Sequence, residues 1–155
     1  MITYSKSTVT ALLKKPEKSL MEQPWMAFYD PGYSINELRE MYPDFFWEKG
    51  GGAWYQQEDF ANLTEKSCMR TMLMEPLIGS LNKNWEGQQK LIPKNCEIPL
   101  ARQVLVMCVL HFQKTEEYLL THQCVRCRDL SLVGSLVCAG ECNPGGILGV
   151  LLSRL

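Results

Sequence analysis

The sequence predicts an α+β fold in which short N-terminal helices precede a central helix packed on a C-terminal antiparallel β-meander. Three observations predict it. Residues 99–113 hold the longest apolar element, including seven consecutive apolar residues from Val104 to Leu110, and Pro99 at its start favours a helix over a buried strand. Three short apolar runs follow, near residues 123–128, 133–139 and 147–152, separated by turns containing Gly134 and the triplet Asn143, Pro144, Gly145. A helix laid across such a meander buries the apolar faces of both. The chain of 155 residues fits one domain, with a shift from aromatic-rich to aliphatic-rich composition near residue 64 marking a candidate sub-domain seam.

The remaining elements follow in order. Residues 8–15 read as a short helix, capped by Ser7 and stopped by Pro16. Ser34 with Glu37 three positions on forms a capping box, flanked by Tyr33 and Leu38 at staple positions, and Pro43 requires that helix to end near Tyr42. Gly50, Gly51 and Gly52 form a turn before Trp54 and Tyr55. Residues 68–74 read as a strand, and residues 83–91 as a short helix between Asn82 and Pro93. On the helix over 99–113, Arg102, Gln103, Gln113, Lys114 and Glu117 share one arc, which reads as a polar face. Eleven of the fifteen aromatic side chains lie between Trp25 and Phe60, so the N-terminal half builds its core from rings and the C-terminal half from Val, Leu, Met and Cys.

Four of the seven cysteines, Cys124, Cys127, Cys138 and Cys142, have roughly the spacing of a zinc ribbon, whose two knuckles present four thiolates tetrahedrally. Residues 123–128 also read as a strand, and strand side chains alternate faces, so Cys124 and Cys127 then point to opposite sides. The two geometries exclude each other. The reading favoured is buried free thiols with no cofactor; zinc is the alternative. The opening residues Met1 to Lys6 contain no apolar signal core and the cysteine count is odd, which together predict a reducing, cytoplasmic setting.

Catalytic motifs are sparse. Cys108 and His111 stand at i and i+3 on the central helix and are the minimum for a thiolate–imidazole nucleophile, with a core histidine the favoured reading. The glycine triplet lacks the Lys-Ser/Thr pair of a phosphate loop. With 16 basic and 17 acidic side chains, the chain has no broad pull toward nucleic acid or anionic lipid. Arg126, Arg128 and Lys114 are too few for a nucleic-acid footprint and read as partners of Asp129, Glu116 and Glu117 on a solvated face. Asn143, Pro144 and the glycines divide the weakly charged tail into runs too short to span a bilayer.

The spaced residues Trp54, Tyr55, Phe60, Ala61, Lys83, Trp85, Gln88, Gln89, Pro99, Ala101, Arg102, Val125, Arg126, Cys127 and Asp129 resemble a group of uncharacterised bacterial proteins over roughly residues 50–155. The resemblance implies no catalytic role. Of the four clustered thiols, it matches cysteine only at Cys127.

These readings converge on a non-enzymatic binding protein that self-associates or takes a macromolecular partner. The predicted contact is the strand over 147–152, where Ile147, Leu148, Val150, Leu151 and Leu152 exceed what one inward face can use.

Overall fold

Ser34 sets the first well-defined corner of the chain. In the computed structural model, which describes residues 5–6, 22–46, 52–143 and 147–153, its hydroxyl accepts from the Glu37 N–H at 3.2 Å, while the Glu37 carboxylate accepts from the Ser34 N–H at 2.7 Å. This completed capping box starts α1 (Ile35–Met41), which ends with Tyr42 ahead of Pro43. The helix expected over 8–15 and the first two glycines of the triplet lie outside the described residues.

Among the described residues, two three-stranded antiparallel sheets form. The first pairs β1 (Ser5–Lys6), β2 (Trp25–Asp30) and β3 (Cys68–Leu73) in the order β1-β3-β2. β2 was not anticipated from the sequence. Its register sets Met26 opposite Met72 and Phe28 opposite Arg70, so Met26, Phe28 and Asp30 face inward, while Tyr29 and Met69 stand opposite each other on the exposed face. The second sheet is the predicted meander: β4 (Cys124–Leu130), β5 (Leu136–Asn143) and β6 (Ile147–Ser153), in the order β4-β5-β6. The turn expected around Gly134 occupies residues 131–135, so β5 starts later than its apolar pattern suggests.

Between the sheets runs α4 (Ala101–Thr115), preceded by two short helices, α2 (Asp59–Asn62) and α3 (Trp85–Gln89). α4 touches β4 and β5 on one side and β2, α1 and α2 on the other. Its first nine residues are buried, which explains the unbroken apolar run: a helix covered on all sides has no face to give to water. One contiguous core joins Phe28, Ile35, Leu38, Phe60 and Met72 to Val104, Leu105, Met107, Val125, Val137 and Val150. Each such aliphatic or aromatic side chain contributes about 1.5–3 kcal/mol by leaving water. A smaller cluster gathers Trp25, Trp85, Leu91, Ile92 and Ile98 around Leu73 and Leu77.

Three local expectations are corrected. Asn84, not Asn82, caps α3, its side chain accepting from the Gly87 N–H. Pro99 stands outside α4, and Leu100 takes the cap position; the Gln103 side chain accepts from the Leu100 N–H at 3.0 Å. Arg102 and Gln103 are not on a polar face, since both are wholly buried among carboxylates supplied by other elements.

In β5 a bulge interrupts the ladder. Gly140 has φ 144° and Glu141 has φ 57°, and the register with β6 shifts between Gly140 and Asn143. A Cβ on Gly140 would lie 2.3 Å from the Gln123 carbonyl oxygen, so only glycine fits this crossing.

Candidate functional site

The buried polar chemistry of the protein is concentrated at the N-terminal end of α4. Arg102, 1% exposed, donates to Asp30 from Nη2 at 2.5 Å and from Nη1 at 3.0 Å, to the Tyr33 carbonyl from Nε at 2.7 Å, and to Glu65. Arg70 donates to the same two carboxylates, at 2.6 Å to Asp30 and 2.8 Å to Glu65. Gln103 Nε2 also reaches Glu65, at 2.8 Å. Two guanidiniums thus face two carboxylates, and the net charge closes to zero. Gly32 makes the corner that brings these groups together: its N–H donates to Asp30, its carbonyl accepts from the Glu65 N–H, and a Cβ there would fall 2.0 Å from the Glu65 carbonyl oxygen.

Burial by itself raises the Asp30 pKa, but donation from Arg102, Gly32 and Arg70 outweighs it and holds the carboxyl below its ordinary 3.8. Asp129 behaves oppositely. Burial dominates and raises its pKa, although the carboxylate accepts from the Ala101 N–H at 2.6 Å and so caps α4 from a strand that arrives later in the sequence. This corrects the expected pairing of Asp129 with surface cations. Arg126 instead donates to Gln88 at 2.9 Å and Arg128 pairs with Glu97 at 3.3 Å.

Sequence reasoning missed Asp30, Glu65 and Arg70. The available signal was the all-round apolar run after Gln103: a helix buried on every side obliges charges in its first turn to find buried partners. Each guanidinium is already matched by carboxylates, and the network ties the first sheet to α4.

The four clustered thiols divide into two sets. β4 alternates regularly, with Val125, Cys127 and Asp129 buried toward α4 and Cys124, Arg126 and Arg128 on the other face. On β5, Val137 and Ala139 face α4 and Cys138 faces away; the bulge then reverses the alternation, returning Cys142 to the helix side, where it meets Cys108. Cys124 and Cys138 therefore share one face and Cys127 and Cys142 the other. Among the described residues no three Cys, His, Asp or Glu side chains converge as metal ligands.

Cys108 is fully buried. A hydrogen bond with Cys142, followed by burial, drives its pKa well above the ordinary thiol value, opposite to the shift that makes a nucleophile. His111 stands one turn along α4, half-buried, and the groups acting on the thiol are Cys142 and Cys127.

Two of the concave regions lined by described residues lie elsewhere. One, of about 480 Å³, is open and lined by Gln23, Pro76, Leu77, Ile78, Leu81 and neighbours, with Glu75 as its one ionisable side chain; Gln23 is held by Glu75, the Pro76 carbonyl and the Ile78 N–H. The other, of about 160 Å³, lies among Asn36, Arg39, Glu40 and Gln56. Neither brings together a nucleophile and a base.

What the second sheet offers is surface. Among the described residues, β6 pairs only with β5 and is an edge strand. Its Val150 carbonyl accepts from the Trp54 indole at 2.8 Å, which fastens the middle of the strand to the body. Register sets Leu152 opposite Val137 on the helix-facing side, yet Leu152 is 44% exposed because the cover ends before it. At the same end of the sheet the β4–β5 turn presents Leu130, Leu132 and Val133 to solvent, Val133 at 81% exposure. The Leu132 N–H donates to Glu58 at 2.7 Å, so this apolar end is fixed in place.

No protein-family model matches the chain, and neither the curated proteins nor the solved structures contain a match. Among the described residues no helix is long and apolar enough to cross a membrane.

Proposed function

We propose that this is a non-enzymatic binding protein that self-associates through β6, two copies placing their edge strands side by side about a two-fold axis. The observation that carries the reading is that, among the described residues, β6 pairs with a strand on one side only and ends beside four exposed apolar side chains, Leu130, Leu132, Val133 and Leu152. Edge strands expose a row of backbone donors and acceptors that a second strand satisfies, and an identical copy brings a self-complementary row. A net charge of −1 sets little repulsion between copies.

Magnitudes decide how much of the surface must take part. Roughly six backbone hydrogen bonds at about 1 kcal/mol net each give about 6 kcal/mol, which reaches only the lower part of an association cost of about 4–15 kcal/mol and leaves little surplus. The apolar end of the sheet must therefore join the contact, and the complex belongs in the micromolar range. Light scattering from about 1 to about 100 μM, a span around the micromolar free energy of about −8 kcal/mol, tests this. The parent should pass from monomer to dimer, and Leu152→Lys should remain monomeric with unchanged circular dichroism. A parent monomeric throughout, or a Leu152→Lys variant that dimerises equally, would reject self-association through this edge.

A further inference from the structure

We propose that Cys124 and Cys138 form a two-coordinate site for a soft monovalent d10 cation, Cu(I) in kind. The register places them diagonally on one face of the second sheet: Cys124 stands opposite Gly140, and Cys138 is two residues before Gly140 and opposite Arg126. The two thiols are in side-chain hydrogen-bond contact, and neither is in a disulfide. Two thiols in contact need separate only a little to take one ion between them, because two metal–sulfur bonds of about 2.3 Å in line set the sulfurs about 4.6 Å apart.

The surroundings select the ion. Tetrahedral zinc needs four donors, and no third Cys, His, Asp or Glu joins these two among the described residues. Soft thiolates with low coordination number favour Cu(I). Binding exchanges two S–H bonds for two S–metal bonds and releases two protons to solvent, with no change in oxidation state, leaving one net negative charge on the bis-thiolate. Arg126 lies on the same face, directly opposite Cys138, with its guanidinium held by Gln88 at 2.9 Å, and Glu141 is the carboxylate that acts on Cys124. Cys124 is half-buried and gives the ion an entrance; Cys138 is nearly enclosed, which shields the site from competing thiols. The other pair in contact, Cys108 with Cys142, is sealed in the core.

Silver(I) is the redox-inert probe. In chloride-free buffer the first equivalent should appear as a one-silver adduct in native mass spectrometry and should protect Cys124 and Cys138 from maleimide labelling. Cu(I) delivered from a competing chelator should compete with silver for the same equivalent. Cys124→Ser, at the half-exposed position and so least damaging to the fold, should lose that equivalent, and Cys142→Ser should keep it. Protection of Cys108 and Cys142 first, first-equivalent binding unchanged in Cys124→Ser, or zinc displacing silver under the same conditions would each overturn the assignment.

Discussion

Replacing Asp30 by Asn tests whether the charge network is what fastens the first sheet to α4. Asp30 is fully buried and receives Arg102 through two nitrogens, Arg70 through one, and the Gly32 N–H. The amide retains the shape but removes the charge and turns an acceptor into a donor facing a guanidinium. Two cations then share Glu65 alone, whose side chain is 24% exposed and so partly screened. Removing one member of a buried ion pair costs about 3–5 kcal/mol, because the partner charge stays buried without compensation. For a chain of this size, about 2–4 °C of melting temperature corresponds to each kcal/mol, so Asp30→Asn should lower the midpoint by about 6–20 °C in thermal circular dichroism. Glu65→Gln, at the partly wetted end of the network, should cost clearly less. The reasoning fails if Asp30→Asn shifts the midpoint by under about 2 °C, the equivalent of no more than 1 kcal/mol, or if Glu65→Gln proves the more damaging.

Further outcomes follow from the same geometry. Asp30, with its pKa lowered, contributes stability that is complete above its unfolded value of about 3.8 and is lost as pH falls through the lower folded value; urea titrations of Asp30→Asn across this range should lack that acid-side loss. Asp129, with its pKa raised, costs stability when ionised, so the parent should gain on Asp129→Asn as pH falls from neutrality; Asp129→Ala should cost about 1–2 kcal/mol near neutrality by orphaning the Ala101 N–H, and more as pH falls. Gly140→Ala should cost about 1–3 kcal/mol or more in denaturant melts, since the backbone conformation and the Gln123 carbonyl both oppose a side chain. Cys127→Ser places a hydroxyl in the core and should cost about 1–3 kcal/mol, while Cys124→Ser on the opposite, half-exposed face should cost less; equal losses in thermal melts would contradict the alternation of β4.

What was legible in the sequence was local. The Ser34–Glu37 box, the helix through Val104–Leu110 and the three-run meander each carry their signal within a dozen or so residues, the span over which capping and periodicity act. β2 was not legible, because its partner β3 begins far along the chain and its alternation is blurred by Trp25 and Met26, both half-buried. The polarity of Arg102 and Gln103 misled for the same reason: periodicity reads a charge as a solvent-facing residue, and only the tertiary arrival of Asp30 and Glu65 reverses it. The facing of Cys142 depends on one bulge at Gly140 and Glu141, which a period-two count along β5 passes over.

The long reach of the Arg102 network has a kinetic consequence. α4 and the meander lie within residues 101–153 and close through two successive hairpins, so their nucleus forms across short stretches of chain. The first sheet must close β2 on β3 over some forty residues and then meet Arg102 across a separation of 72 positions from Asp30. Loop-closure entropy places such contacts late. Asp30→Asn is therefore expected to leave the refolding rate nearly unchanged and to accelerate unfolding by nearly the whole of its equilibrium effect. Stopped-flow chevrons would show this as a raised unfolding arm over a common refolding arm, and a slowed refolding arm would instead put the first sheet inside the rate-limiting nucleus.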